Sequence, residues 1–363
     1  MFQMTKKIIK ILILILFVLI TAAVSAYIYV CRNDIVAKKL KDKDYISFSV
    51  LLHGTEKMFP GRLDAYTVLY NKKTNILKVL SVNTDAVVFK KREKSRSLKT
   101  LFNENSKKDI NTAIKKFYLD LREVIGNAVE ADFYINTSFE TLYNMTWKNK
   151  KFKAILSKDN FKNRDLESLN RLETIEHFLN LTPYMIMKIC KNYDFINTNI
   201  PKLPFAYYIL RLKFIKQPVL IFCEMPVKYT KTRVEFDRQN IEELLNKIYY
   251  ADATLQTNTK DILINIKNAS RKPRMAEKAA WLLRKNNFDV LDWNNFSITY
   301  DKTLIKDYKG NFMQALEIAE ILKTGKVIVS YDNCIYSDIN IFVGKDCIIY
   351  DNLDKKERQN GKN

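Results

Sequence analysis

Three acidic side chains and one arginine stand near the N-terminal end of the chain, at the ends of short apolar runs. Glu56 follows the first run and Asp85 follows the third, whereas Arg62 and Asp64 stand at the start of the second. Carboxylates at strand ends can converge on one hard cation, and an adjacent arginine can bind a phosphate through two parallel hydrogen bonds. The pattern therefore indicates phosphoryl chemistry.

The apolar runs that must position these side chains are bounded by turn residues, which predicts strands at 47–53, 66–71 and 76–82. A helix is then predicted to begin with a capping box at Ser106, in which Asp109 stands three residues later, and to end at Gly126. A further strand and a helix follow it. Strands that alternate with amphipathic helices favour an α/β sandwich.

Residues 11–30 form an uninterrupted apolar run of about 20 residues, which is long enough for a transmembrane helix. The run is preceded by Lys6, Lys7 and Lys10, which predicts a cytoplasmic N-terminus and an extracytoplasmic bulk. A cleaved signal peptide is the alternative, because Val24-Ser25-Ala26 resembles a cleavage site. The run continues past that site to Val30, which favours an uncleaved single-pass membrane anchor.

The formal net charge of +21 suits a polyanionic partner such as a lipid pyrophosphate or a wall polymer. The chain has only seven glycines and its lysines are spread along the whole length, which favours a compositional origin for much of this charge. The five cysteines are scattered, so they predict neither a zinc site nor a disulfide framework. An outward-facing topology without a helix-turn-helix pattern argues against a nucleic-acid partner.

The chain is long enough for more than one domain. A polar connector at 251–261 precedes a second alternation of apolar strands and helices, in which Trp281, Phe288 and Trp293 are predicted to be core residues. The predicted parts are a tail and membrane anchor at 1–34, an α/β domain at 35–250, a smaller α/β domain at 258–348 and a polar tail at 349–363.

Three motifs and their order resemble the LytR-CpsA-Psr family of envelope proteins. They are Gly54-Thr55-Glu56, Arg62-Leu63-Asp64 and Ser81-Val82-Asn83-Thr84-Asp85, where the family usually has Gly-x-Asp, Arg-Ser-Asp-Thr and Ser-Ile-Pro-Arg-Asp. The C-terminal part resembles the LytR-type domain that often follows in this family, through Asn268-Ala269-Ser270 and the segment 337–346.

The resemblance implies an α/β sandwich domain with a LytR-type C-terminal domain. It also implies a phosphotransferase that moves glycopolymers from polyprenyl pyrophosphate to peptidoglycan at the membrane. In that function Glu56 and Asp64 bind Mg²⁺, Arg62 binds a phosphate, and Asp85 is the catalytic residue that orients a partner or activates the acceptor hydroxyl.

The departures from the family pattern predict an impaired enzyme. Thr84 stands where the family has an arginine, and the downstream signatures Arg-x-Arg and Gly-Asp-x-x-Arg-x-x-Arg-Gln are not identified. In phosphoryl transfer the loss of such an arginine costs about 10³–10⁵ in rate, unless Lys90, Lys91 or Arg92 replaces it. The alternative function is a non-catalytic scaffold that binds polyprenyl phosphate or envelope partners.

Overall fold

A computed structural model describes residues 35–71, 73–88, 96–126, 131–145, 164–179, 189, 191–202, 204–205, 219–250 and 262–347. The predicted membrane segment at 11–30 and the basic residues Lys90 to Arg92 lie outside these ranges. Within them, no helix combines the length and the apolar composition needed to cross a membrane.

The described residues confirm an α/β fold, built on a mixed sheet of eleven strands. Across the sheet the strands are β12 (Asp289–Asn295), β11 (Leu263–Asn268), β15 (Ile339–Val343), β13 (Leu304–Asp307), β14 (Lys326–Val329), β8 (Val219–Glu224), β3 (Ile76–Val82), β2 (Leu63–Asn71), β1 (Tyr45–His53), β6 (Phe133–Ser138) and β7 (Asn197–Thr198). A second sheet has the order β5 (Arg96–Ser97), β4 (Val87–Val88), β10 (Val234–Phe236) and β9 (Val227–Tyr229).

Helices pack on both faces of the large sheet. One face carries α2 (Leu98–Ser106), α3 (Ile110–Ile125), α6 (Arg238–Tyr250), α7 (Met275–Lys285) and α8 (Phe312–Leu322). The opposite face carries α4 (Phe139–Met145) and α5 (Arg164–Leu179). Helix α1 (Ile35–Asp42) contacts β1, and a short 3₁₀ helix spans Tyr193–Phe195.

Successive side chains of each strand point to opposite faces of the sheet and contribute to two different apolar cores. In β3, Leu80 belongs to the core under α2, α3 and α6, whereas Val79 belongs to the core under α4 and α5. The predicted strand at 76–82 is confirmed with these bounds. Its buried pattern on both faces is typical of a central strand.

The predicted helix begins after Asp109, whose carboxylate accepts hydrogen bonds from the backbone N–H groups of Asn111 and Thr112. It ends before Gly126, which has a φ of 73°. Ser106 is instead the last residue of α2, a helix that the sequence analysis did not predict. The predicted start at Ser106 is therefore wrong, since the N-cap is Asp109, while the predicted end at Gly126 is confirmed.

The sheet is continuous across the two predicted domains. β14 pairs in parallel with β8, with Ile328 opposite Phe222 and Val329 opposite Cys223. Phe222 and Ile328 also share one apolar cluster with Leu169 of α5. The boundary between the two domains at 251–257 stays a prediction. Strands from the two predicted domains nevertheless hydrogen-bond to each other in one sheet.

Two of the three predicted core aromatics in the C-terminal segment are exposed. Phe288 is buried, but Trp281 and Trp293 retain 52% and 40% of their accessible surface. Trp293 lies on the edge strand β12, where the Arg284 guanidinium is 4.7 Å from its ring centre. Trp281 lies off the buried stripe of α7, which includes Ala279, Ala280 and Leu283. The core prediction is therefore wrong for both tryptophans.

Asp307 is a fully buried carboxyl at the end of β13. Its Oδ1 accepts hydrogen bonds from the backbone N–H groups of Lys309 and Gly310 at 3.0 and 2.9 Å, and its Oδ2 has no hydrogen-bond partner in the described part of the chain. Burial raises the pKa of Asp307 to about 6, although neighbouring N–H groups and Lys247 act to lower it. The ionised carboxylate is therefore disfavoured in the folded chain.

This pKa predicts a pH-dependent stability. The folded pKa lies above the unfolded value of 3.8, so the protonated group stabilises the fold at low pH, and this contribution is lost as the pH rises through about 6. We expect Asp307 to lower the free energy of unfolding by up to about 3 kcal/mol between pH values of about 4 and 7. Asp307→Asn should remove that decrease in urea denaturation of the full-length chain. Asp301→Asn, at an exposed carboxylate, is the control, and identical pH profiles for Asp307→Asn and the original chain would contradict the prediction.

Candidate functional site

The loop that follows β1 folds back on itself. The Gly54 N–H donates to the Arg62 carbonyl oxygen at 2.7 Å, and the Arg62 N–H donates to the Phe59 carbonyl oxygen at 3.0 Å. A Cβ atom on Gly54 would lie 1.8 Å from the Phe59 oxygen, so this position requires glycine. The first motif therefore shapes the loop that returns the chain to Arg62 at the start of β2.

Arg62 is held by a carboxylate and two aromatic rings. Its Nη2 and Nε donate to Asp64 Oδ2 at 3.0 and 3.3 Å. Its guanidinium carbon lies 4.7 Å from the ring centre of Phe139 and 5.8 Å from that of Phe59. The side chains of Arg62 and Asp64 are only 11% and 6% exposed. The structure thus brings two of the predicted site residues into one largely desolvated pair.

A second buried arginine, Arg171 of α5, lies over the same face of the sheet. Its Nη1 donates to Ser81 Oγ at 3.2 Å, and its Nη2 donates to Glu167 at 2.7 Å. Burial acts to lower the pKa of Arg171, but the negative charges of Asp64, Glu167 and Glu224 raise it above its ordinary value. Arg171 therefore stays charged beside the pair of Arg62 and Asp64.

Strand register explains how these groups meet. In the pairing of β2 with β3, Tyr66 lies opposite Ser81, and in the pairing of β3 with β8, Ser81 lies opposite Glu224. Asp64 precedes Tyr66 by two residues, so both side chains project from the same face of β2. The carboxyl ends of β3 and β8 and the start of β2 therefore present one line of polar groups to α5.

Tyr66 contributes a buried hydroxyl group beside Asp64. Burial, and then the negative charge of Asp64, raise the pKa of Tyr66, while Arg171 and Arg62 act in the opposite direction. We call Arg62, Asp64, Tyr66 and Arg171 the Asp64 cluster.

The other two predicted site residues lie at the surface. Glu56 is exposed on the loop, and the carboxylate that this loop binds is Glu140, which accepts from Thr55 Oγ1 at 2.7 Å. Asp85 is exposed and lies 3.6 Å from the Lys99 ammonium group. A metal-binding role for Glu56 and a catalytic role for Asp85 stay predictions.

Thr84, which stands where the LytR-CpsA-Psr family has an arginine, is buried. Its Oγ1 donates to the Leu63 carbonyl oxygen at 2.8 Å, which joins the end of β3 to the start of β2. Its own carbonyl oxygen accepts from the Lys99 N–H at 2.8 Å. Thr84 thus stabilises the backbone next to Asp64, and the guanidinium group that reaches β3 comes from Arg171 instead.

Helix α5 brings to the site residues that the sequence analysis did not single out. Asp165, Ser168 and Arg171 follow one another at intervals of three residues, so they lie along one face of the helix. The position of this face over β3 and β8 requires the tertiary structure.

The charges around the cluster bear on metal binding. Among the described residues, no three or more His, Cys, Asp or Glu side chains are grouped so as to hold a metal ion. Mg²⁺ commonly takes only one or two carboxylates and completes its shell with phosphate oxygens and water. The carboxylates that act on Arg171 are Asp64, Glu167 and Glu224, which outnumber the guanidinium groups of Arg62 and Arg171. An anionic ligand would therefore bind better together with a cation.

Comparisons with known proteins give structural similarities alone. No family model and no curated protein match the chain. It is similar to the structure of TagU from B. subtilis (11% identity, 59% of this chain and 100% of that chain, TM-score 0.40). It is also similar to the structure of TagT bound to LI-WTA (12% identity, 57% of this chain and 90% of that chain, TM-score 0.38). A third similar structure is that of a transcriptional regulator from Enterococcus faecalis (10% identity, 56% of this chain and 87% of that chain, TM-score 0.39). At these identities and TM-scores the similarity does not indicate a function.

The close approach at Gly54 predicts a strong effect of an added methyl group. Gly54→Ala should lower the free energy of unfolding by about 3 kcal/mol, because the backbone of Phe59 has to move. Gly126→Ala is the matched control, since Gly126 has a φ of 73° and nothing within 4 Å of an added Cβ; it should cost only about 1 kcal/mol. Urea denaturation of the full-length variants measures both values, and equal losses would contradict the steric argument.

Proposed function

We propose that the chain binds a polyprenyl pyrophosphate-linked glycopolymer at the outer face of a membrane and transfers the glycopolymer to peptidoglycan. The observation that supports this most is the buried Arg171 guanidinium beside the pair of Arg62 and Asp64. Planar guanidinium groups match phosphate oxygens in two-point hydrogen bonds, and burial strengthens these contacts. The glycopolymer, the peptidoglycan acceptor and the membrane location are proposed from the resemblance of the motifs at 54–56, 62–64 and 81–85.

In this proposal the Asp64 cluster holds the pyrophosphate group. Arg62 and Arg171 bind its oxygens, and the buried Tyr66 hydroxyl donates to one of them. Mg²⁺, held by Asp64 and Glu56, would neutralise the charge on the ligand. The acceptor hydroxyl oxygen then bonds to the sugar-linked phosphorus, the bond to the bridging oxygen breaks, and the lipid leaves as a monophosphate. The hydroxyl proton goes to a base, for which Asp85 is the candidate.

A non-catalytic scaffold is the second candidate. It is favoured by the exposure of Asp85 and by its ion pair with Lys99, because exposed ion pairs of this kind contribute little and do not define a catalytic geometry. The scaffold would bind the polyprenyl phosphate group through Arg62 and Arg171 and present it to envelope partners. The two candidates share the binding step and differ in the transfer step.

The binding step predicts a loss of affinity when either guanidinium group is removed. Full-length chain in detergent should bind farnesyl pyrophosphate in the presence of Mg²⁺, and Arg171→Met and Arg62→Met should each weaken binding by about 10–100-fold. Isothermal titration calorimetry measures this, with Lys345→Met as the control because that lysine is exposed and pairs only with Asp301 at the surface among the contacts described. Removal of Mg²⁺ with a chelator should weaken binding as well. If neither arginine variant changes the affinity, the proposed site is wrong.

The transfer step is tested separately by the release of polyprenyl monophosphate from a lipid-linked glycopolymer in the presence of peptidoglycan. Mg²⁺-dependent release that falls in Asp85→Asn, with unchanged affinity, supports the enzyme. Tight binding without release supports the scaffold. A chain that binds neither the diphosphate nor the monophosphate lipid contradicts both.

A further inference from the structure

We propose that the C-terminal segment at 262–347 positions helix α5, and with it Arg171, in the candidate site, and that Glu224 is the residue through which the two parts of the chain act on each other. The ligand in this inference depends on the proposed function. The positioning itself rests on contacts of described residues alone.

The first turn of α5 is held by the C-terminal segment. Asp165 Oδ1 accepts from Lys306 Nζ at 2.7 Å, and Asp165 Oδ2 accepts from the Tyr300 hydroxyl at 2.8 Å. The side chains of Lys306 and Asp165 are 14% and 17% exposed. Burial acts to lower the pKa of Lys306, but the charges of Glu224 and Asp165 are among the groups that raise it. This is a partly desolvated ion pair, in which removing one partner leaves the other charge uncompensated.

Glu224 joins α5 to the end of strand β14 in the C-terminal segment. Its Oε1 accepts a hydrogen bond from Ser168 of α5, and its Oε2 accepts one from Ser330. Ser330 directly follows β14, and the pairing of Val329 with Cys223 brings it next to Glu224 at the end of β8. Each carboxylate oxygen therefore binds a hydroxyl from a different part of the chain.

A third contact lies near the far end of α5. Lys326 Nζ contacts both carboxylate oxygens of Glu176, at 2.6 and 2.7 Å. Between these polar contacts, Leu169 and Leu172 pack in one buried cluster with Tyr300, Leu304, Ile328 and Phe342 of the C-terminal segment. The helix is thus bound along its length by residues that are distant in the sequence, 141 positions for Asp165 and Lys306 and 150 positions for Glu176 and Lys326.

These contacts bear on Arg171 through geometry and charge. Arg171 and Ser168 are neighbours on the helix, three residues apart, and both reach the line of polar groups that contains Ser81 and Glu224. Glu224 also acts electrostatically on Arg171 and on Lys306. Loss of the Ser330 hydroxyl or of the Lys306 charge therefore disturbs the carboxylate that helps to fix the charge and the position of Arg171. Ser330 and Lys306 are positioning residues and not catalytic residues.

The test uses full-length chain in detergent with farnesyl pyrophosphate as the probe. Ser330→Ala and Lys306→Met should weaken binding by about 10-fold, because residues that share one network are energetically coupled. Ser330→Thr, which keeps the hydroxyl, should restore most of the affinity. Lys345→Met is the control in the same segment, since its partner Asp301 is exposed. In the double variant Ser330→Ala/Arg171→Met, the loss should be less than the product of the two single losses.

Hydrogen exchange of the backbone amides provides the readout that does not depend on the ligand. In Ser330→Ala and Lys306→Met, exchange in 164–179 should accelerate by about 10-fold while exchange in α7 stays unchanged. Unchanged exchange in 164–179 overturns the positioning inference, even if the wild-type chain binds the probe. The positioning inference is also overturned if the loss of affinity in Ser330→Ala/Arg171→Met equals the product of the losses in the two single variants. If the wild-type chain does not bind the probe, the proposed function fails, and accelerated exchange in 164–179 still supports the positioning of α5.

Discussion

The structure depends on the compensation of buried charges beneath helix α5. Arg171 and Lys306 both lie in a desolvated layer, where an unpaired charge costs several kcal/mol. Their partners come from three places: Glu167 and Asp165 from the helix, Asp64 from β2 and Glu224 from β8. Removing any one of these elements takes away part of this compensation. The position of α5 and the arrangement of the site are therefore coupled.

The same constraint explains the continuous sheet. Ile221, Phe222 and Cys223 of β8 are fully buried, and β14 covers the strand edge that would otherwise present free backbone groups. Glu224 at the end of β8 receives a hydroxyl hydrogen bond from each side, so the strand pairing and the polar contacts agree in register. The continuous sheet, with an apolar cluster on each face, therefore joins the C-terminal segment to the α/β part that precedes it.

Much of the sheet could be predicted because its strands are apolar runs between turn residues, as for 76–82. The pair of Arg62 and Asp64 was also accessible to sequence reasoning, since alternate residues of a strand share a face. Strand β13 was missed because Leu304 and Ile305 form too short an apolar run before Lys306. The role of α5 was also missed. Its inner face carries Asp165, Ser168 and Arg171 beside the buried Leu169 and Leu172, and the partners of these polar side chains come from distant parts of the sequence.

Arg171 places a guanidinium group near the strand end at which the LytR-CpsA-Psr family has an arginine and this chain has Thr84. Thr84 uses its hydroxyl to join β3 to the backbone before Asp64, and the guanidinium beside this strand end comes from a helix more than 80 residues later in the chain. Ground-state binding of a diphosphate needs fixed positive charge and hydrogen-bond donors, which Arg62, Arg171 and Tyr66 can supply. Acceleration of transfer needs groups whose interaction strengthens only in the transition state. In the proposed function Asp85 lies at the surface and the two guanidinium groups lie in the Asp64 cluster, so a chain can lose the transfer step and keep the binding step.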